Sequence, residues 1–122
     1  MKSQSQRQLR AGELVRRALA DIIAEGAIHD PAVSGLPVTV SEARMSPDLR
    51  HATVFVAAMG QADRSKLAKA LNHASGYLQR ELAKRIDLRF TPKLRFEGDD
   101  RFEDAAHVDD ILSRPQVKRD LE

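Results

Sequence analysis

KLAKALNHASGYLQRELAKRIDLRFTPKLRF, residues 66–96, reads as helix, small-residue step, helix, turn and strand. Apolar residues recur at Leu67, Leu71 and Ala74, then at Leu78, Leu82 and Ile86, and the step Ala74-Ser75-Gly76 joins the two halves. Spacings of three and four also suit one continuous amphipathic helix. At about 100° per residue, however, the stripe drifts by about 100° between Leu67 and Ile86, enough to carry the later residues off a core. A bend brings them back, and Gly76 is where a helix bends most readily. Glycine in a helix interior costs about 1 kcal/mol against alanine, so its presence there is a mild sign of a bend, with a close helix contact or a simply tolerated glycine as the alternatives. Basic residues flank both halves: Lys66, Lys69, Arg80, Lys84, Arg85, Arg89, Lys93 and Arg95.

Working outward, a first helix is expected from Gln6 to Glu25. Ser5 and Gln8 have the spacing of a capping box. Leu9, Val15, Ala18, Leu19, Ile22 and Ile23 form its apolar stripe, and Gly26 is a candidate stop. Gly12 is unfavourable within it. The turn residues Asp30-Pro31 end the segment. Strands are expected over Val38–Met45 and His51–Ala58, joined as an antiparallel hairpin by Ser46-Pro47-Asp48-Leu49-Arg50. The inward alternation shifts from Val38 and Val40 to Ala43 and Met45, which predicts a bulge near Ser41-Glu42. Asp63 can cap the next helix. Glu81 and Arg85 form an i,i+4 pair. A third strand is expected over Lys93–Glu97, with Leu94 and Phe96 on one face. Phe55 and Phe96 are expected in the core. Beyond Gly98, residues Asp104–Leu112 suit a short helix, and the last residues a frayed end. The expected organisation is a flexible 1–5, a folded domain over 6–97 and an acidic extension over 98–122. The order α-β-β-α-α-β makes an α+β domain with helices layered over a three-stranded sheet.

With 122 residues the chain suits one domain with a single core. It has no Cys, which excludes a disulfide framework and a thiolate metal site and fits a reducing cytoplasm. No run is long and apolar enough to span a membrane, and the N-terminus lacks the apolar region of a signal peptide. The net charge of +2 conceals an asymmetry. Residues 1–95 carry sixteen Lys and Arg against nine Asp and Glu, and residues 96–122 carry four against nine. A basic body suits a polyanionic partner such as nucleic acid, although charged helix faces are more often simply solvated.

Catalytic chemistry finds little support. Asp99, Asp100, Asp104, His107, Asp109 and Asp110 are the best candidate ligands for a hard cation, but they lack EF-hand spacing. No H-E-x-x-H or phosphate-binding glycine-rich loop is present. No cofactor, metal or catalytic residue is expected.

The element order is that of a type II KH domain, in which a GXXG loop between the central helices normally clamps nucleic-acid backbone. An Ala-x-Gly step stands in its place here. Together with VTVSEARMSPDLRHATVFVAAM (residues 38–59), the Leu71–Ile86 segment, Thr91-Pro92-Lys93-Leu94-Arg95-Phe96 leading to Ile111-Leu112, and the first helix with Asp30-Pro31, the chain resembles the bacterial ribosome-binding factor A family over about Arg7 to Ser113. Within the hairpin the match rests chiefly on Ser46, Asp48-Leu49, Ala52 and Val54. Ala32, and Glu97-Gly98 after the third strand, depart from the family pattern.

The resemblance implies a non-catalytic, cytoplasmic assembly factor. It would bind the free 30S subunit rather than 70S ribosomes, contact 16S ribosomal RNA, assist late maturation of that RNA and matter most in the cold. A monomer is expected. From charge and position, Arg7, Arg10, Lys66, Lys69, Arg80 and Lys84 are the candidate phosphate contacts on one continuous basic face. Asn72 and Ser75 are candidate hydrogen-bonding partners, and Gly76 would let the RNA backbone approach closely. With few aromatic residues, base stacking is expected to be minor. A generic KH-like nucleic-acid binder, or a protein adaptor on that scaffold, is the alternative.

Overall fold

The structure is a computed structural model, and it describes residues 4–33, 37–58 and 63–99. The elements are α1 (Gln6–Ala24), β1 (Val38–Met45), β2 (His51–Ala58), α2 (Arg64–His73), α3 (Ser75–Arg85) and β3 (Lys93–Gly98). The sheet order is β1-β2-β3. β1 runs antiparallel to β2, and β3 runs parallel to it. Parallel pairing requires a crossover, and α2 and α3 supply it. The expected α+β arrangement is therefore present, with all three helices against one face of the sheet.

Local chemistry sets the boundaries. Gln8 N–H donates to the Ser5 hydroxyl, and Ser5 N–H donates to the Gln8 side chain at 2.8 Å, closing the capping box. Glu25 forms the C-cap of α1, and Gly26 follows at φ +77°, a left-handed conformation that glycine adopts without Cβ strain. Asp63 caps α2 by accepting from the amides of Ser65 and Lys66. The strand register shifts between Val40 and Glu42, placing the bulge where the alternation breaks. Ser41, the extra residue, donates its hydroxyl to the carboxylate of Asp99, with the carbonyl of Phe55 sharing the proton at a longer 3.1 Å. Asp99 is buried, and its amide donates to Val56. The folded unit therefore extends past the expected boundary at residue 97. The short helix expected over Asp104–Leu112 lies outside the described residues.

The core is built from Val15, Leu19 and Ile22 of α1, Leu67 and Leu71 of α2, Leu78 and Leu82 of α3, and Val54, Val56 and Phe96 of the sheet. Two expectations about it fail. Leu9 remains 50% exposed. At 100° per residue it lies about 100° around α1 from the centre of the buried face, beyond the edge of the stripe. Phe55 is half-buried on the opposite face of the sheet from Val54 and Val56. That open face carries Glu42, Arg44, Arg95 and Glu97, with Arg44 near Glu42 at 3.5 Å and Arg95 near Glu97 at 3.4 Å.

Gly12 has a reason the sequence does not disclose. A Cβ built there would stand 2.3 Å from the carbonyl oxygen of Ala43. Alpha-1 lies flat against β1 because this position has no side chain. At the other edge, Asn72 completes β3. Its side-chain N–H donates to the Phe96 carbonyl at 3.0 Å, and its side-chain oxygen accepts from Phe96 N–H at 2.8 Å. The amide thus imitates a neighbouring strand along an edge that would otherwise be open to pairing.

Ion pairs tie the helices at their solvent side. Arg16 and Arg17 both donate to Glu13, which holds its carboxyl down from 4.5 to about 2. Arg85 makes a two-pronged contact with Glu25, joining the ends of α1 and α3, and lowers that carboxyl also. Glu81 is lowered by Lys84 at 3.0 Å, with Arg85 a weaker partner at 3.5 Å. Each folded pKa lies below its unfolded value. The stabilisation is therefore complete above about pH 4.5 and is lost as pH falls through the lowered values, which for Glu13 extends to about 2. The expected result is a melting temperature that declines across that window, followed by circular dichroism. Glu13→Gln should show a shallower decline, and the effect should be modest because all these groups are exposed.

Candidate nucleic-acid interface

The helix break falls inside the Ala74-Ser75-Gly76 step, but at Ala74 rather than Gly76. Ala74 takes φ −92° and ψ 8°, ending α2 and preceding α3. This is the sparsely populated bridge region, where the helical hydrogen-bond pattern is interrupted. Gly76 sits in the first turn of α3, without a positive φ. Alanine at Gly76 would meet only the Arg80 guanidinium, at an ordinary 3.5 Å. Neither the bend nor internal packing therefore requires glycine there.

What the step offers is a helix start with no side-chain cap. Amides in the first turn of a helix lack intrahelical acceptors, and the aligned peptide dipoles make that end attractive to anions. Ser75 is half-buried, Gly76 is exposed, and the Arg80 guanidinium stands beside the glycine. Lys66, Lys69 and His73 lead up to the step at spacings of three and four, so they share one face of α2. They line a shallow groove of about 280 Å³ together with Asp30 and Ala32 of the α1–β1 connection. Both lysines are exposed, and neither they nor Arg80 has an ion-pair partner among the described residues. His73 completes the stripe. Its i,i+7 relation to Lys66 was available in the sequence.

The structure does not bring every candidate together. Lys84 is engaged by Glu81. Asn72 is committed to Phe96, so the fold uses the polar atoms assigned to RNA. Arg7 and Arg10 stand elsewhere, in a groove of about 840 Å³ that shares no residue with the lysine groove. Alpha-1 packs over β1, whereas α2 packs over β3 and β2. The single basic face is therefore two surfaces: the α2 stripe with the step and Arg80, and a second groove beside the N-terminal half of α1.

Comparison with known proteins agrees with this architecture. The family model for ribosome-binding factor A matches residues 7–112. The chain is 50% identical to a ribosome-binding factor A of Maricaulis maris, over 99% of this chain and 86% of that protein. It is 49% identical to a counterpart from Afipia carboxidovorans, over 96% and 83%. The crystal structure of ribosome-binding factor A from Thermus thermophilus superposes with a TM-score of 0.63 at 30% identity, covering 75% of this chain and 94% of that one. A Thermus thermophilus ribosome binding factor A homology model, fitted into a cryo-electron microscopy map of a 30S complex, gives 0.57 at 32% identity, covering 70% and 88%. On both sequence and fold, this chain belongs to the ribosome-binding factor A family.

Proposed function

We propose that this protein binds the free 30S ribosomal subunit as a non-catalytic cytoplasmic monomer, contacts 16S ribosomal RNA, and assists late maturation of that RNA. The observation that carries the reading is the uncapped start of α3 beside Arg80, approached by Lys66, Lys69 and His73. It occupies the topological place where other KH domains clamp backbone with a GXXG loop. Phosphate would meet the first-turn amides and the flanking cations, with Gly76 leaving room for the sugar. Such contacts give affinity and register rather than base reading. Support for the partner comes from the family itself and from the relative fitted into a 30S map. A role in the cold follows from rates: misfolded RNA helices rearrange slowly at low temperature, so a protein that favours one arrangement has more effect there.

Sedimentation with purified ribosomal particles tests the reading. The protein should comigrate with free 30S subunits and not with 70S ribosomes. If six to ten phosphates are met, its affinity should fall by about 10³ to 10⁵ between 50 and 200 mM salt. Comigration with neither particle would favour a generic KH-like binder or a protein adaptor. Binding that stays flat with salt would remove the phosphate contacts.

A further inference from the structure

The groove that holds Arg7 and Arg10 has a floor unlike the lysine groove. Phe90 is 44% exposed and Leu14 is 47% exposed. The Arg50 guanidinium lies 4.2 Å from the centre of the Phe90 ring, and that of Arg89 lies 5.5 Å from it. The fold thus maintains an accessible aromatic ring with two guanidinium groups over it. Planar bases stack both on phenyl rings and on arginine guanidinium planes. Arg7 and Arg10 are three residues apart on one face of α1, exposed and without an ion-pair partner among the described residues.

The rim nearest Phe90 is the turn after β1. Leu49 is held there at φ +62°, a conformation costly for a residue with a branched side chain. Ser46 donates its hydroxyl to Asp48 at 2.6 Å, and Arg50 N–H donates to the same carboxylate. These bonds fix the turn from which Arg50 reaches Phe90. Four guanidinium groups thus face two carboxylates, Asp48 and Asp87, and the Asp48 carboxylate is engaged within the turn. The charge favours an anionic occupant, and the flat cationic platform favours one with planar rings.

We propose that this groove is a second RNA contact, which takes one unpaired nucleotide of 16S ribosomal RNA. Its base stacks on the Phe90–Arg50 platform, and its flanking phosphates lie against Arg7 and Arg10. This rests on the 30S reading above, and it assigns recognition of a looped-out base to a surface remote from the α3 step. It differs from the expectation, drawn from the sparse aromatics, that stacking is minor.

Ultraviolet crosslinking of the full chain to purified 30S subunits, followed by mass spectrometry, tests it together with the binding of Phe90→Leu. That variant keeps apolar volume and removes the ring. A nucleotide adduct on the peptide carrying Phe90 is expected. Phe90→Leu should bind about tenfold more weakly with an unchanged salt slope, because stacking is not ionic. Arg7→Ala with Arg10→Ala should instead lower the slope by about 1.5. Should Phe90→Leu melt early, the adduct on the unaltered protein decides. Wild-type binding with no adduct on that peptide and no loss in Phe90→Leu overturns the inference while leaving the 30S reading intact. A crosslink from Phe90 to a ribosomal protein, or to residues 100–112 of this chain, also overturns it. Failure of the wild type to bind 30S subunits defeats both readings.

Discussion

Gly12→Ala should destabilise the fold by about 2 kcal/mol, a fall in melting temperature of about 8–16 °C. The added methyl would sit 2.3 Å from the Ala43 carbonyl oxygen, less than any real Cβ contact. That obstacle is backbone at the centre of a strand pair, not a flexible side chain, so α1 must lift or β1 must shift. Either movement loosens the buried face of α1, Val15 and Leu19 included, from β1. Alanine returns about 1 kcal/mol through helix propensity, which only partly offsets the overpacking. Gly76→Ala is the control. Its methyl meets nothing closer than the Arg80 guanidinium at 3.5 Å, so stability should hold or rise slightly. Thermal melts of the two variants separate a packing glycine from one left open to a partner. Equal melting temperatures would mean that α1 does not lie on β1 as closely as described.

Removing the three step cations, Lys66→Ala, Lys69→Ala and Arg80→Ala together, should weaken 30S binding by about tenfold to a hundredfold. The slope of log affinity against log salt should fall by about 2 to 3. All three side chains are exposed, so melting should barely move. The informative control removes charge from the open sheet face with Arg44→Ala and Arg95→Ala. Those arginines stand beside Glu42 and Glu97. Substantially tighter binding by the control than by the triple variant places the contact on the α2 stripe. Weakening in proportion to lost charge alone would mean that net charge, not position, governs the encounter.

Much of the fold is legible in the sequence because its signals are local. Both hairpin strands follow from two-residue alternation, and the bulge follows from its break at Ser41. The Ser5–Gln8 box and Asp63 mark helix starts through bonds within three residues. The α2–α3 break is suggested by helical drift and by Gly76, although the same spacing also suits one continuous helix, and the break itself falls at Ala74. What the sequence hides is tertiary. Gly12 is explained only by the Ala43 carbonyl thirty-one residues away, and Asn72 only by the edge of β3. Leu9 falls outside the core because its angle around α1, and not its apolar character, decides which face it joins.

The candidate site is legible in kind but not in layout. A set of basic residues does not show that α1 rests over one edge strand and α2 over the other. Charge alone therefore groups Arg7 and Arg10 with Lys66 and Lys69, and the structure separates them. It also brings together residues that charge alone could not rank. Phe90 is an isolated aromatic in the sequence; its neighbour Arg89 stands over the ring at 5.5 Å, and the turn at Asp48-Leu49-Arg50 brings the Arg50 guanidinium closer, to 4.2 Å. Conversely, Lys84, put forward from charge and position as a phosphate contact, is engaged by Glu81, and Arg16 and Arg17 are engaged by Glu13.

Hydrogen exchange of the protein alone and bound to 30S subunits gives the most direct reading of the interface. The amides of Ser75, Gly76 and Tyr77 stand at the uncapped end of α3 and should slow markedly on binding, as should the α2 face that bears Lys66 and Lys69. Unchanged exchange at those amides, with protection confined to the open face of the sheet around Arg44 and Arg95, would contradict the account.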